Sequence, residues 1–482
     1  MEPVLDLKID LPPRGSRALL RSLHRQLRAA IVEGRLCAGL RLPSTRAFAR
    51  THGISRNSAI AAYDLLLSEG YVTTRPGGGT FVAQAVAHKK EPPASAPAAN
   101  TRGRISAQWR DVRAWLGAET ASRYRYDFAL GLPEKSEFPF EVWRRLSARA
   151  LRNLSKASAT YAEAQGRAGL REAIAQHVSF ARAVACNPDD VVVTSGAQQA
   201  FDLLARVLVT AGRTVVALED PGYPPLRRAF VAAGAKVAAV PVDAGGIIVE
   251  RLPRQARIVC VTPSHQFPLG MALSMQRRRS LLEFAQRQGA LIIEDDYDSE
   301  FRHADRPVDA LQTLDRDELV FYVGTFSKSL FPALRLGFVV APGWARDALI
   351  AAKQAADWHS AVLAQDTLAS FIAEGHLARH VRKMRRVYGG RRSALLEALA
   401  EHGRGRIEVI PSMSGLHLAV GLIPRISAAA LAQRAAEAGV RVQALDPFAI
   451  AHPVPNAVAF GFGVIPAERI EAAVARLFKQ VR

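Results

Sequence analysis

Apolar residues at the start of the chain recur with the period of an amphipathic helix. Between Ser16 and Gly34 they recur at helical spacing, at Leu19, Leu23, Leu27, Ala30 and Ile31. Residues with this spacing cover one face of a helix and leave the intervening charged residues on the other face. The pattern therefore predicts a first helix across this segment.

Two shorter helices are predicted next, each preceded by a serine suited to cap its N-terminus. Ser44 is expected to cap a helix that ends at Gly53, a residue free to adopt positive φ. Ser55 is expected to cap a third helix that runs from Arg56 to about Glu69. Two helices joined by a tight glycine turn are typical of a helix-turn-helix.

The residues that follow predict a β-hairpin with a glycine-rich tip. Residues 71–74 and 80–82 have the composition of short strands, and residues 75–79 between them include three glycines. Helix, helix-turn-helix and hairpin in this order predict a winged helix whose third helix enters the major groove of DNA. The candidate DNA contacts are Ser44, Arg46, Ser55, Arg56, Asn57, Arg75, Gly78 and Thr80.

Each of these features also has an ordinary structural explanation. Arg46 and Arg56 suit solvated surface charges, and triple glycines occur in plain turns. It is their order along the chain that favours DNA binding.

The composition changes between residues 86 and 124. Residues 88–101 are rich in proline and alanine, which is typical of an extended, semi-stiff linker. A chain of 482 residues suggests about three domains. We predict a DNA-binding module at 1–85, a linker at 86–124 and a larger module at 125–482, whose large part covers about 157–345 and whose small part covers about 346–482.

Apolar runs alternate with helical patterns from about residue 157. This rhythm predicts an α/β fold with a doubly wound, mostly parallel sheet. The candidate strands cover residues 191–194, 215–218, 258–262, 291–294, 319–323 and 336–341. Functional side chains in such folds gather at the carboxyl ends of strands, and the polar motifs of this module lie at those ends.

Lys328 follows one of the predicted strands. A lysine buried at a strand end loses its proton more readily and can attack an aldehyde to form a Schiff base. The chain contains ten lysines and 54 arginines, so a composition that favours arginine has kept lysine here. A surface lysine is the alternative explanation.

Other strand ends carry residues that complement such a lysine. Residues 195–199 open a helix whose free amides suit a phosphate, and Tyr223 stands on a rigid turn suited to stacking on a flat ring. The acids of residues 294–300 need a cation, either a pyridinium nitrogen or a metal, and we expect no histidine or cysteine cluster beside them that would favour a metal. With Arg335 as a phosphate ligand, the set comprises the parts of a pyridoxal 5'-phosphate site, and no metal site is predicted.

The net charge of +20 favours a polyanionic partner, with nucleic acid the first candidate. The first 90 residues carry +8 of this charge, so the excess is densest in the predicted DNA-binding module. A general role in solubility is the alternative.

The cysteine residues and the N-terminal sequence indicate the cellular compartment. Cys37, Cys186 and Cys260 are odd in number and widely spaced, so we expect buried, reduced thiols. The first residues lack a basic region followed by an apolar one, and no apolar run approaches 18 residues. A cytoplasmic protein without a membrane partner is expected.

Two segments resemble known families. Residues 17–83 closely resemble the GntR-type winged helix, through Leu42-Pro43-Ser44 with Arg46, the helix start Ser55-Arg56-Asn57-Ser58 and the wing end Thr80-Phe81-Val82. Residues from about 125 to 482 resemble a fold-type I aminotransferase, which implies a large α/β part and a smaller α+β part. The fusion is similar to the MocR group of GntR-superfamily regulators, with specific motifs at residues 261–268, 294–301 and 325–328.

The resemblance implies individual roles at a cofactor site. Lys328 would carry pyridoxal 5'-phosphate as an internal aldimine, Asp295 would pair with the pyridine nitrogen and Tyr297 would bond the ring hydroxyl. Tyr223 would stack on the ring, and a homodimer would bring in Tyr161 of the partner subunit. The phosphate would be held by Ala197, Gln198, Thr325 and Arg335.

Some positions depart from the aminotransferase pattern or carry no clear role. Phe267 stands where those enzymes have an asparagine that bonds the ring hydroxyl, and Ala459 where they have an arginine that binds the substrate carboxylate. The missing carboxylate clamp argues against efficient transamination. His265 and Gln266 would lie close to the ring.

The resemblance thus implies a DNA-binding transcriptional regulator whose aminotransferase-like domain senses pyridoxal 5'-phosphate or a small amine or amino-acid effector. Closure of that domain would change the spacing of two winged helices on a promoter operator. Two alternatives stay open. One is an active aminotransferase with an accessory DNA-binding domain, and the other is a DNA-binding protein whose larger domain is a dimerisation scaffold.

Overall fold

The computed structural model describes residues 9–12, 16, 18–83, 105–106, 109, 124–303, 309–423 and 427–479. The chain divides into two compact units, at residues 1–107 and 108–482. Most of the linker predicted at 86–124 lies outside the described residues. No helix in the described part of the chain is long and apolar enough to cross a membrane.

The smaller unit contains the predicted helices and hairpin. Its elements are α1 (Leu19–Val32), α2 (Thr45–Thr51), α3 (Arg56–Ser68), β1 (Val72–Arg75) and β2 (Gly79–Val82). The hydroxyl of Ser44 accepts a hydrogen bond from the N–H of Ala47, and that of Ser55 from the N–H of Ser58. Gly53 has a φ of +62° at the turn between α2 and α3. The predicted winged helix-turn-helix is confirmed.

The apolar positions of these elements meet in one small core. The stripe predicted from α1 packs against α2, α3 and the hairpin, through buried residues that include Leu23, Leu27, Phe48, Leu66 and Val72. Because this core uses the inner faces only, the start of α3 and the tip of the hairpin remain exposed.

The larger unit begins with alternating helices and strands. In chain order these are β3 (Tyr126–Asp127), α4 (Phe140–Leu154), α5 (Ala168–Arg182), β4 (Val191–Thr194), α6 (Ala197–Leu208), β5 (Val215–Asp220), α7 (Pro224–Ala232), β6 (Lys236–Asp243), β7 (Gly246–Ile247), β8 (Ala256–Val261), α8 (Met275–Gln288), β9 (Leu291–Asp296), β10 (Val320–Thr325), β11 (Gly337–Val340) and α9 (Arg346–Asp357).

Eight of these strands form the main sheet, in the spatial order β4, β11, β10, β9, β8, β5, β6 and β7. The neighbours from β10 to β6 are parallel, as expected of a mostly parallel sheet, although β6 was not among the predicted strands. Among the predicted strands the exception is β11, which runs antiparallel to both β10 and β4. The connection from β10 to β11, residues 326–336, is too short for the crossover that a parallel pair requires.

The C-terminal part adds a second, smaller sheet. Its elements are α10 (Val362–Ala373), α11 (His376–His402), β12 (Ile407–Val409), β13 (His417–Leu422), α12 (Ala428–Glu437), β14 (Val440–Arg441), β15 (Gln443–Ala444), β16 (Ala457–Gly461) and α13 (Ile470–Lys479). β12, β13, β16 and β15 form an antiparallel sheet in that order. The predicted α+β part is confirmed.

The three cysteines are free thiols, as expected, but only Cys260 is buried. Cys186 is partly buried and Cys37 is exposed. The expectation of buried thiols is therefore wrong for Cys37. This residue lies in the turn that follows α1, where its Sγ contacts the carbonyl oxygen of Gly34 at 3.4 Å instead of the core.

Candidate cofactor site and nucleic-acid interface

A cavity of about 390 Å³ lies at the carboxyl edge of the main sheet. β4, β5, β9 and β10 end beside it, because strands that run in one direction bring their carboxyl ends to the same edge. The cavity lining includes eight of the ten predicted cofactor-binding residues, namely Ala197, Gln198, Tyr223, Asp295, Tyr297, Thr325, Lys328 and Arg335. Tyr161 and His265 are not part of this lining.

Lys328 lies just beyond the end of β10, with its amine in the cavity. Its Nζ donates a hydrogen bond to the carbonyl oxygen of Gly131, 2.7 Å away. Burial lowers the pKa of Lys328, and the charges of Asp298 and Asp295 oppose that shift. A lowered pKa increases the fraction of neutral amine, which is the form that attacks an aldehyde.

Asp295 stands near the end of β9 with one oxygen unpaired. Its Oδ1 is buried and has no hydrogen-bond partner among the described residues. Burial and the charge of Asp296 raise the pKa of Asp295 well above its usual range, and the charge of Lys328 lowers it. A buried carboxylate without a donor is costly. This wall of the cavity therefore suits a protonated nitrogen.

The opposite end of the site gathers groups that suit a phosphate. The helix predicted to open within residues 195–199 begins at Ala197, so its first free amides belong to Ala197 and Gln198. The guanidinium of Arg335 donates a hydrogen bond to the carbonyl oxygen of Ser195 at 2.6 Å, which holds it beside this helix end. A Cβ on Gly196 would lie 3.1 Å from both terminal nitrogens of Arg335.

Thr325 completes this end of the cavity. Its hydroxyl donates a hydrogen bond to the hydroxyl of Ser327 at 3.1 Å and accepts one from the N–H of Ser327 at 3.2 Å. Two hydroxyls, a guanidinium and a helix N-terminus thus border the same space. Such groups recognise a phosphate monoester by charge and by hydrogen bonding.

Aromatic rings form one wall of the cavity. Tyr223 and Phe267 pack edge to face, with centroids 5.2 Å apart. Phe267 in turn packs against Phe448 at 5.2 Å, so it belongs to an apolar cluster and offers no donor to a ring hydroxyl. The hydroxyl of Tyr297 donates to the carbonyl oxygen of His265 at 2.9 Å. Burial and the nearby acids raise the pKa of Tyr297 well above its usual range, so this phenol stays protonated.

His265 is fully buried behind Tyr297 and does not reach the cavity surface. Its Nδ1 lies 3.0 Å from Asp298 Oδ1, and its Nε2 lies 3.2 Å from Ser412 Oγ. The residue therefore supports the tyrosine from behind. Gln266, also buried, donates to the carbonyl oxygens of Pro221 and Phe267.

A histidine cluster does lie beside the acids in the fold, contrary to the expectation from the sequence. His417, remote in sequence, packs on His265 with ring centroids 4.4 Å apart, and the two lie close enough to Asp298 to share a metal ion. Each of the three already has a hydrogen-bond partner within the protein, since His417 Nε2 lies 3.1 Å from the carbonyl oxygen of Pro268. These hydrogen bonds explain why the three side chains lie together.

Tyr161 lies on the surface, outside the cavity lining. Its side chain is 74% exposed, and its ring contacts that of Trp358 with centroids 4.3 Å apart. Within one chain, the structure therefore does not bring Tyr161 together with the other predicted residues.

Several cavity residues were missed by sequence reasoning. They are Leu130, Gly131, Leu132, Ser327 and Pro332. Ser327 and Pro332 lie within four residues of Lys328, so adjacency in sequence was an available signal. The segment 130–132 is remote in sequence, and its one signal was a glycine close to a proline, which marks a turn but no chemistry.

Four of the predicted DNA contacts, three arginines and an asparagine, are exposed to solvent in the smaller unit. Arg46, Arg56 and Asn57 are exposed on α2 and at the start of α3. Arg75 is also exposed, and its guanidinium lies over the ring of Phe81 at 4.6 Å. Exposed cations at a helix start and on a hairpin are suited to phosphate contacts.

Three of the remaining predicted DNA contacts also stabilise the local structure of the smaller unit. Ser44 and Ser55 accept the capping hydrogen bonds of α2 and α3. A Cβ on Gly78 would lie 3.1 Å from Cβ of Arg75, so this position favours glycine at the tip of the hairpin. Thr80 lies opposite Thr74 in the hairpin.

Family models match both units. Residues 129–477 match the family described as aminotransferase class I and II. Residues 19–82 match bacterial regulatory proteins of the gntR family.

Individual proteins are similar over most of the chain. The probable rhizopine catabolism regulatory protein MocR of Rhizobium meliloti is 39% identical over 86% of this chain and 83% of its own length. The HTH-type pyridoxine biosynthesis transcriptional regulator PdxR of Corynebacterium glutamicum is 31% identical over 95% of each chain.

A solved structure is similar to the larger unit. The α-aminoadipate aminotransferase LysN of Thermus thermophilus, in complex with N-(5'-phosphopyridoxyl)-L-leucine, is 30% identical with a TM-score of 0.67. The match covers 74% of this chain and 91% of that one.

Proposed function

The chain belongs to the MocR-type regulators of the GntR family, and from that premise we propose that its aminotransferase-like domain binds pyridoxal 5'-phosphate at Lys328 and reports it to DNA. The protein is thus a transcriptional regulator with a winged helix ahead of an aminotransferase fold. The cofactor supplies an aldehyde that condenses with a neutral amine. The residues of the chain bind it, orient it and hold protons at named atoms.

One observation carries the proposal. A single cavity contains a lysine amine of lowered pKa and a buried carboxylate oxygen, Asp295 Oδ1, that lacks a partner among the described residues. A protonated pyridine nitrogen would give that oxygen its missing donor and keep the carboxylate ionised.

The phosphate end supports the same proposal. Arg335, the amides of Ala197 and Gln198, and the hydroxyl of Thr325 would hold the dianion. Gly196 and Gly131 leave room beside Arg335 and Lys328 that a side chain would fill.

The ring would lie against Tyr223. Tyr297 stays protonated, so its hydroxyl can serve as a donor to a ring oxygen, in exchange for its bond to the His265 carbonyl oxygen. Phe267 adds apolar surface and excludes water from this wall.

The geometry favours a sensor over a transaminase. Among the described residues that line the cavity, the cationic side chains are Lys328 and Arg335, and both have proposed roles toward the cofactor. Ala459 is buried in β16 and packs in the apolar cluster with Phe267. No guanidinium in the described lining is left to orient a substrate carboxylate, so turnover of amino acids should be slow.

We propose that the regulator acts as a homodimer on a promoter operator. The exposed ring of Tyr161 is suited to reach the cofactor phosphate of a second subunit. Binding of the cofactor, or of an amine or amino-acid effector, would favour one closure of the larger domain and so one spacing of the two winged helices. Such coupling requires different affinities for the two closures.

The test is direct chemical identification of the bound cofactor. The purified protein is reconstituted with pyridoxal 5'-phosphate, its visible spectrum is recorded, and the adduct is reduced with borohydride before digestion. A visible band and a phosphopyridoxyl mass on the peptide that contains Lys328 are expected. A colourless protein, or a modification spread over other lysines, would refute the proposed site.

A further inference from the structure

A second lysine, Lys353, lies directly behind the phosphate end of the cavity. Its side chain is 0% exposed, in the last turns of α9. Its Nζ donates to both carboxylate oxygens of Asp357, at 2.6 and 2.8 Å, to Gln199 Oε1 at 2.9 Å and to Ser360 Oγ at 3.2 Å. The ammonium group is thus surrounded by oxygen acceptors.

These contacts reach the residues that border the cavity. Gln199 Oε1, which accepts from Lys353, also accepts from the backbone N–H of Ser195 at 2.7 Å. The carbonyl oxygen of Ser195 in turn accepts from Arg335 at 2.6 Å. Lys353 is therefore joined to Arg335 through two intervening residues.

A second path fixes the same loop. Ser360, which accepts from Lys353, lies 3.3 Å from Ser195, hydroxyl oxygen to hydroxyl oxygen. The side-chain amide of Gln199 donates to Asp357 Oδ2 at 2.8 Å. Ser195 and Gln199 flank the two amides proposed to meet the phosphate, so both sides of that turn are tied to one buried cation.

The ammonium group of this ion pair is buried, whereas the side chain of Asp357 is 33% exposed. Burial lowers the pKa of Lys353, and its hydrogen bond to Asp357 opposes that shift. Removing the ammonium group from water costs free energy, and its attraction to a partly exposed carboxylate recovers only part of that cost. We therefore expect the charge of Lys353 to serve the adjacent turn, residues 195–199.

We infer that Lys353 is a positioning residue for the phosphate of the bound cofactor, an inference that rests on the proposed function. The ammonium group orients Gln199 and Ser195, which set the direction of the α6 amides and of Arg335. The ligand class that depends on this network is a phosphate monoester.

The test compares the binding of a ligand that carries the phosphate with the binding of one that lacks it. Wild type and Lys353→Met are titrated with pyridoxal 5'-phosphate and, separately, with pyridoxal, which carries the aldehyde and ring without the phosphate. Loss of a charge-assisted hydrogen bond should weaken pyridoxal 5'-phosphate binding about tenfold or more. The affinity for pyridoxal should change less than about twofold, since its contacts lie away from this turn.

Two further variants keep the result interpretable. Lys353→Met combined with Asp357→Asn removes both charges and so relieves any unpaired carboxylate, while the network remains broken. Arg171→Met removes another buried cation, one bonded to the carbonyl oxygen of Gly166 and to Asp189 away from the cavity lining. The double variant should show the phosphate-selective loss and the Arg171 variant should not.

The outcomes are distinct. Equal weakening of both ligands, or unchanged binding of pyridoxal 5'-phosphate in a folded Lys353 variant, would overturn the positioning role and leave the cofactor site standing. Failure of wild type to bind pyridoxal 5'-phosphate would overturn the proposed function itself.

Discussion

The amine of Lys328 is held by the carbonyl oxygen of Gly131, 2.7 Å away and 197 residues distant in the chain. The two meet because the segment before α4 passes over the carboxyl edge of the main sheet. This contact orients the amine within the cavity while burial lowers its pKa. The position of the Lys328 amine is thus set by Gly131, and its protonation state is set by burial in the cavity.

A side chain at residue 131 should disturb this lysine. Gly131 has a φ of +68°, and a Cβ there would lie 2.8 Å from Lys328 Nζ. We expect Gly131→Ala to weaken pyridoxal 5'-phosphate binding by about tenfold or more, since displacement of the amine should cost about 1–3 kcal/mol of binding free energy.

The matched control for that variant is Gly289→Ala. Gly289 also has positive φ, at +58°, but no atom lies within 4 Å of the position of its Cβ. Both variants should lose about 1 kcal/mol of unfolding free energy from backbone strain. Only Gly131→Ala should lose cofactor affinity, and equal affinities in the two would contradict the role of Gly131.

Asp295→Asn tests the proposed pairing with the pyridine nitrogen. The amide keeps the shape but removes the charge, so the affinity for pyridoxal 5'-phosphate should fall by about 10- to 100-fold, the equivalent of one charged hydrogen bond. Absorbance titration measures the change. Asp296→Asn is the control, because Asp296 Oδ2 already accepts from Arg182 at 2.7 Å and from Tyr322 at 2.6 Å. It should lower stability more than affinity.

Arg56→Ala tests the DNA interface. If Arg56 meets a phosphate, the variant should bind all sequences more weakly and reduce the slope of log affinity against log salt by about one. Fluorescence anisotropy at several salt concentrations measures both. Arg21, exposed on α1, provides the control substitution. An unchanged slope for Arg56→Ala would place this residue outside the interface.

The acid dependence of stability should change in a defined direction when His417 is replaced. Burial lowers the pKa of His417 to about 3, against about 6.5 in the unfolded chain. The unfolded state therefore binds more protons between these values, so this residue's contribution is fully present above pH 6.5 and declines as the pH falls. The slope is about 1.4 kcal/mol per pH unit.

His417→Gln should remove that slope between pH 5 and 6.5, as measured by urea unfolding of wild type and variant. The difference between the two proteins is the informative quantity. Glu219 and Glu294, whose pKa values burial raises to about 7, contribute with the opposite sign in both proteins. Parallel pH profiles for wild type and variant would contradict the assignment.

Much of the fold was predictable because local patterns carry it. Serine caps, a glycine turn and helical periodicity predict α1 to α3, and short apolar runs predict the main strands. The residues of the cavity at strand ends were predictable for the same reason. Lys328, Asp295 and Tyr223 each follow or end a recognisable strand.

The remainder depends on contacts between distant segments. Gly131 meets Lys328, His417 meets His265, and Lys353 meets Gln199 only after the chain has folded. No periodicity or spacing encodes such pairs. The direction of β11 was hidden for a related reason, since an apolar run predicts a strand but not its orientation.

Lys328→Ala gives the most direct test of the central claim, that a covalent cofactor site communicates with the winged helix. Operator binding is measured for wild type and variant with and without pyridoxal 5'-phosphate, at matched salt. The cofactor should change the operator affinity of wild type and leave that of the variant unaltered, while both retain salt-sensitive binding to unrelated DNA. An equal response to the cofactor in the two proteins would contradict the account.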